Sequence, residues 1–348
     1  MNENEEIQLT ALGYHVILMT DPEAQPELFD GMPTTPSAHT RTLSLWDTSY
    51  KYVAAKRLKT TEKPEILVRP AGAHTLEIKP ALLLRAGKTI AVYPGVREEM
   101  LVRAITYMAF QRLAETRIGQ SKNGDSYLCL KFSIKDLRKV LIGHGHTYSV
   151  AQLSEAIEVC GSAVLTYRCN TETHRGEIGG PIIQSWSGTD ALNDTTGEHS
   201  IRRVVLHPMV TESLLHDKTR TIDFARVMRL KSSLARWIYD RLSHNFTQAV
   251  KLGSILGKGY NLSLHTIVAE TGMVGTDLSD LTKGVRKALH ELEIEGVLQK
   301  GQAYQEDIRY GAAAGGRPPM TDVLWTLYPS GAVVEDILAE NKARRTEK

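Results

Sequence analysis

Three short clusters in the sequence hold residue types that can do covalent or metal chemistry. Gly87-Lys88-Thr89 has the ending of a phosphate-binding loop, in which backbone amides cradle a phosphate and the lysine neutralises it. That pattern needs a glycine five residues before Gly87, and the chain has Leu82 there. His144-Gly145-His146, with Tyr148 beyond it, offers two imidazoles for a divalent metal and a phenol for attack on a phosphodiester. Such a pair flanks a bulky apolar residue on a strand. Here Gly145 stands between the histidines and Gly143 precedes them, so the residues predict a polar turn between helices. Glu98-Glu99 and the trio Glu291, Glu293 and Glu295 read as helix-surface charges rather than acid–base pairs. Cys129, Cys160 and Cys169 have no pairwise metal spacing and read as reduced thiols, buried or idle. The expectation is no catalytic residue, no metal and no cofactor.

Charge distribution points elsewhere. The net charge is only +2, but Met1–Asp30 carries seven acids and no lysine or arginine. Arg226–Lys258 carries seven lysines and arginines against one acid, Asp240, and the C-terminal end adds Lys342, Arg344, Arg345 and Lys348. An acidic head therefore offsets a basic later half, a distribution compatible with nucleic acid as partner. No stretch reaches about 18 uncharged apolar residues, so no membrane span is expected. The opening MNENEEIQLT is acidic where a signal peptide is basic, which with the cysteine usage predicts a cytoplasmic protein.

The elements that must position any site follow from periodicity. Residues 1–50 are rich in Pro, Thr, Glu and Asp, and 1–60 reads as a largely disordered leader. Alternating patterns predict strands at 64–69, 74–79 and 89–93. After Pro94-Gly95, Met100, Ala104, Tyr107, Met108 and Leu113 share one face of a helix. A strand at 127–132 leads through Ser133, an expected N-cap, into a helix ending at Gly143, and a second helix spans 149–160. Strands at 163–168 and 180–186, around a polar turn, then a loop at 187–199 and a strand at 200–207, complete a first unit over 61–212.

A second unit over 213–340 repeats the order. A short helix, MVTESLL, precedes a long one at 231–250, in which Leu234, Ile238, Leu242 and Phe246 form a core stripe with Trp237 beside it. A short extended piece, YNLSL, enters the helix HTIVAETG; a turn and the helix 276–296, with Thr276 as expected N-cap, follow. Strands at 297–310 and 322–329 flank the loop GAAAGGRPPMT, and a last helix closes the chain. Helix, strand, helix, helix, strand, strand is the order of a winged helix. The expected fold is α+β, two tandem winged-helix domains behind an acidic leader.

On helix 276–296, Leu278, Leu281, Val285, Ala288, Leu289 and Leu292 fall in one apolar arc. Lys283, Lys287 and His290 lie opposite, Arg286 lies at the flank, and Ser279 and Asp280 lie near the start. That is the dress of a helix that packs on its domain and enters a major groove. Arg317, in the loop AAAGGRPP, is a candidate wing contact. In the first unit the corresponding helix has Glu155 and Glu158 and no lysine or arginine; Lys131, Lys135, Arg138 and Lys139 precede it as candidate backbone contacts.

YPGVREEMLVRAITYMA, Tyr93 to Ala109, is similar to the opening helix of the replication initiator proteins of bacterial plasmids. The patch VVLHPMVTESLL…TIDFARVMRLKSSLARWIYDRLSH resembles the region joining their two winged helices, through Ser232, Ser233, Ala235, Arg236, Tyr239 and Leu242. The resemblance spans roughly 90–330. It implies binding to repeated origin sites (iterons) in double-stranded DNA, help in opening an adjacent AT-rich segment, recruitment of the host replicative helicase or its loader, a monomer–dimer equilibrium, and autorepression. It makes Lys283, Arg286, Lys287 and His290 the readers and the first domain a dimerisation or backbone-contact module. The acidic leader and loop 187–199 depart from the pattern. The alternatives are a winged-helix transcriptional regulator and a metal-dependent rolling-circle nicking enzyme using the histidine pair and Tyr148.

Overall fold

The computed structural model of the chain describes residues 66–71, 74–111, 117–121, 126–170, 175–189, 200–206, 223–245, 259–312 and 318–346, with the pair Tyr14–His15. The rest of the leader 1–60, the helix MVTESLL, Phe246 and most of loop 187–199 lie outside these residues. The fold is mixed helix and sheet, with several antiparallel ladders. It divides into two compact units, one built on Leu76–Thr219 and one on Arg220–Lys348 together with Val68–Thr75.

In the first unit, helix α1 (Val96–Gln111) precedes strands β6 (Arg117–Ser121) and β7 (Ser126–Ser133), helices α2 (Ile134–Gly143) and α3 (Val150–Ser162), and strands β8 (Val164–Asn170), β9 (Arg175–Pro181), β10 (Ile183–Thr189) and β11 (Ile201–Leu206). Before α1 in the chain lie β1 (Tyr14–His15), β2 (Leu67–Ala71), most of which belongs to the second unit, β3 (His74–Lys79), β4 (Ala81–Arg85) and β5 (Lys88–Val92). The main sheet has the order β1-β6-β7-β11-β10. Met100, Ala104, Ile105 and Met108 of α1, Leu137 and Leu141 of α2, and Leu153, Ile157 and Cys160 of α3 are buried, as the apolar periodicity requires. Ser133 caps α2 by accepting from the Asp136 amide at 3.0 Å, and Ser149 forms a reciprocal capping box with Gln152 on α3.

Several expectations for this unit are corrected. The hairpin that returns to β7 is β10–β11, not a pair at 163–168 and 180–186. The segment 175–189 breaks at Ile182 into two strands, so β9 pairs with β8 while β10 pairs with β11. Strands β4 and β6 were not foreseen, because ALLLR buries only alternate residues and RIGQS has no apolar alternation at all. Glu98 and Glu99 are not surface charges: they are 4% and 1% exposed. Glu98 accepts from the Gly95 amide at 2.9 Å and pairs with Arg97, and Glu99 pairs with Arg103 one turn on. They satisfy the first turn of α1 from inside.

The second unit contains α4 (Phe224–Arg229), α5 (Ser233–Asn245), β12 (Tyr260–Ser263), α6 (Leu264–Thr271), α7 (Leu278–Ile294), β13 (Tyr304–Tyr310), β14 (Met320–Leu327) and α8 (Gly331–Thr346). Its sheet has the order β12-β14-β13. The core joins Leu234, Trp237, Ile238 and Leu242 of α5, Ile267 of α6, Val285, Leu289 and Leu292 of α7, and Val323, Trp325 and Leu327 of β14. Residues 297–310 do not form one strand: Leu298 bridges to Pro329, a turn at Lys300-Gly301 intervenes, and the strand begins at Tyr304. The N-cap of α7 is Asp277, not Thr276; the Asp277 carboxylate accepts from the Asp280 amide at 2.8 Å, and Asp280 in turn accepts from the Thr276 amide at 3.3 Å. Two carboxylates thus meet the positive end of the helix dipole, which a threonine hydroxyl cannot match.

The two units share a connectivity. In each, a strand ends on a serine that caps the next helix (Ser133, Ser263), a second helix follows, and the final strand pairs between that first strand and its own hairpin partner. In the first unit the β8–β9 hairpin is inserted after the second helix.

Candidate nucleic-acid interface

Helix α7 exists because its two faces have different chemistry. Leu281, Val285, Ala288, Leu289 and Leu292 are buried. Thr276 and Asp277 before it and Ser279, Asp280, Lys283, Arg286, Lys287, His290 and Ile294 on it are exposed. The helix is held from beneath by α5: the Glu291 carboxylate accepts from the amides of Lys231 and Ser232 at the start of α5, the latter at 3.2 Å. It is held from the preceding turn by the α6 C-terminus, where Gly272 takes φ +62° and returns its amide to Val268 at 2.8 Å. A Cβ at Gly272 overlaps the Arg69 guanidinium of β2, which packs on this turn. A buried ion pair, Arg241 of α5 with Glu270 of α6, ties the two helices, and Arg241 Nε also donates to the Tyr260 hydroxyl at 2.5 Å. The Arg241 guanidinium lies 5.2 Å from the Trp237 ring centre.

The predicted reading residues lie on one exposed stripe, but they differ electrically. Lys283 and Lys287 have no ion-pair partner among the described residues. His290 Nδ1 lies 3.8 Å from the Glu293 carboxylate. Asp280 is engaged in the capping turn. Arg286 is bidentate to Glu306 of β13, with Nε donating at 2.9 Å and Nη2 at 2.5 Å. Glu306 also accepts from the indole Nε1 of the fully buried Trp325 at 2.9 Å. These donors hold the Glu306 carboxyl below the usual carboxylate range, chiefly through the Arg286 hydrogen bonds, and the same contact raises the Arg286 guanidinium. Arg317 lies outside the described residues, between β13 and β14; at the base of that connection the Gly311 amide donates to the Pro319 carbonyl at 2.9 Å.

In the first unit, Lys135 and Lys139 are exposed one turn apart on α2, and Arg138 between them is half-buried, donating from Nε to the Tyr148 carbonyl at 3.1 Å. On α3, Glu155 pairs with Arg97 and Glu158 with Arg85. These acids, with Trp186 and Arg202, line a cleft of about 420 Å³. Helix α2 thus carries Lys135, Arg138 and Lys139 and α3 carries Glu155 and Glu158, whereas in the second unit Lys283 and Lys287 lie on α7, the second helix. His144-Gly145-His146 is the turn between α2 and α3: His144 ends α2, Gly145 has φ +86°, and the His146 and Tyr148 rings stack at 6.2 Å. Gly87-Lys88-Thr89 begins in the tight β4–β5 turn, where Ala86 and Gly87 have φ +50° and +73°. Cys129 and Cys160 are buried, and burial pushes the Cys160 thiol well up. Among the described residues no group of three His, Cys, Asp or Glu is arranged to hold a metal, and no helix is long and apolar enough to cross a membrane.

No protein-family model matches the chain. No curated protein matches it by sequence. Among solved structures it is similar to domains 2 and 3 of RctB: a selenomethionine form at 10% identity and TM-score 0.45, covering 82% of this chain and 99% of that one, and RctB residues 155–483 at 10% and 0.45, covering 86% and 99%.

Two exposed groups of the second unit escaped the sequence reading. Arg309 is exposed on β13, and His265, 71% exposed at the start of α6, lies 3.2 Å from the Asp322 carboxylate through Nδ1. Alternation along YQEDIRY was the available signal for Arg309, since Gln305, Asp307 and Arg309 all point outward. His265 had none, because its exposure depends on where β12 hands over to α6.

Proposed function

We propose that this protein is a replication initiator that binds repeated sites in double-stranded DNA, with the second unit as a winged-helix reader and the first as a winged-helix dimerisation or backbone-contact module. The observation that carries the reading is the exposed stripe of α7, on which Lys283 and Lys287 have no ion-pair partner among the described residues while the opposite face is locked into the core. Ser279, Lys283, Lys287 and His290 supply donors suited to base edges and phosphates, and Arg286 stands at the flank. Arg317 on the wing, and Lys135, Arg138 and Lys139 of the first unit, are assigned to phosphates. The shared connectivity of the two units supports the tandem arrangement. The resemblance of Tyr93–Ala109 and of the Ser232–Leu242 pattern supports plasmid origin iterons as target, with helicase recruitment, a monomer–dimer equilibrium and autorepression as its corollaries. The described residues give the second patch a structural meaning: Arg236, fully buried, donates to the Leu230 carbonyl at 2.5 Å and to Ser233 Oγ at 2.9 Å, and Tyr239 accepts from Arg226 at 3.2 Å. We assign no enzymatic step, metal or cofactor to the protein and place it in the cytoplasm.

The test is direct. The protein is titrated against a randomised duplex pool, the enriched duplex is recovered, and binding is measured by fluorescence anisotropy. Lys283→Ala and Lys287→Ala are each expected to weaken binding roughly 5- to 10-fold near 0.1 M salt, the size of one lost phosphate contact. Unchanged affinity in both variants removes α7 as the reader. Enrichment of tandem direct repeats favours an initiator; a lone palindrome favours a transcriptional regulator.

A further inference from the structure

On the duplex-binding reading above, we propose that Glu306 is a specificity-determining residue, which holds the Arg286 guanidinium in one orientation at the edge of α7 and withholds its charge from sequence-independent contact with phosphates. The geometry supplies both halves of the argument. A bidentate contact through Nε and Nη2 occupies one edge of the guanidinium and leaves the Nη1 protons and the second Nη2 proton outside that contact, on a side chain that is 45% exposed. Such a fork donates in a fixed plane, which suits a base edge better than a mobile phosphate. The carboxylate is itself fixed, because its Oε2 also accepts from the indole of Trp325, a side chain with no exposure. The chain of contacts thus runs from the rigid core through Glu306 to a cation on the exposed face. Neighbouring Lys283 and Lys287 have no such tether among the described residues and remain available to phosphates.

The experiment uses the full chain and two probes: the duplex enriched from a randomised pool by the wild-type protein, and a random-sequence duplex of equal length. Glu306→Gln keeps an acceptor for the Trp325 indole but removes the charge that holds Arg286. It is expected to raise affinity for the random duplex several-fold, to steepen the dependence of log affinity on log salt by about 0.9 on that probe, and to lower the ratio of enriched to random binding about 10-fold. Adding Arg286→Ala to Glu306→Gln must abolish the gain on the random duplex, since the gain belongs to the released guanidinium. Arg286→Lys with Glu306 intact is expected to lower the ratio as well, because an ammonium cannot be held bidentately. A purely structural role for Glu306 predicts equal losses on both probes with no change in salt slope, and that result overturns the proposal. An unchanged ratio in Glu306→Gln overturns it too. If wild type enriches no sequence and the two lysine substitutions are silent, the duplex-binding reading itself fails and this inference with it.

Discussion

At the scale of single residues, the same sequence letters do different work according to their surroundings. Gly87-Lys88-Thr89 sits in a hairpin whose two turn residues, Ala86 and Gly87, both have positive φ. A two-residue turn of that kind matches strand twist and prefers Asn-Gly. Ala86 is an L-residue in a conformation that costs it roughly 1–2 kcal/mol. Ala86→Asn is expected to stabilise the chain by about 0.5–1 kcal/mol, read as a higher urea midpoint at constant slope; a lower midpoint contradicts the turn geometry. Glu306 gives a pH prediction. Its folded carboxyl lies below the ordinary value of about 4.3, so the unfolded chain takes up the proton first as pH falls. The contribution of the Arg286 pair is therefore complete near neutrality and is lost as pH drops through the folded value. The acid limb of stability against pH is expected to be shallower in Glu306→Gln than in wild type below about pH 4.5, with parallel curves above pH 6. Parallel acid limbs exclude the pair as a source of that loss. The sequence made Lys283, Lys287 and Arg286 visible as a stripe but not their difference, because the partner of Arg286 comes from a strand 20 residues away.

At the scale of elements, legibility followed local rules. Helices α2 and α7 could be placed from their apolar arcs, and Ser133 announced its cap. Strands β4 and β6 could not, since one buries only every second residue and the other is stabilised by its neighbours in the sheet rather than by its own composition. Glu98 and Glu99 misled for the opposite reason: first-turn acids are ordinarily solvated, but here they serve buried amides and arginines. What holds α6 and α7 in place is likewise long-range. Glu270 is buried against Arg241, and removing one partner of a buried pair leaves an uncompensated charge. Glu270→Ala is expected to cost about 3–5 kcal/mol. Glu291→Ala, which removes only the cap that α7 offers to α5, is expected to cost about 1 kcal/mol. Chemical unfolding of both variants checks the ranking; equal small losses imply that Arg241 finds another partner.

At the scale of the whole molecule, a net charge of +2 offers little long-range attraction for DNA. Affinity on the proposed reading must come from local neutralisation, and each neutralised phosphate contributes about 0.9 to the slope of log affinity against log salt. The two lysines of α7 lie one turn apart and have no ion-pair partner among the described residues, so each can neutralise a phosphate of its own. The double variant Lys283→Ala/Lys287→Ala is therefore expected to flatten the slope by about 1.8, the sum of two contacts. Substituting Lys135 and Lys139 of the first unit to alanine separates the two possible uses of that unit. A further loss of about 1.8 in slope means that its α2 also lies on phosphates. An unchanged slope with an altered concentration dependence of self-association assigns the first unit to contact between copies. The units share one connectivity but differ on their second helices: Glu155 and Glu158 on α3 are paired with Arg97 and Arg85, whereas Lys283 and Lys287 on α7 have no ion-pair partner among the described residues. Duplicate scaffolds carrying different faces are expected to divide the labour, and the salt slopes measure that division.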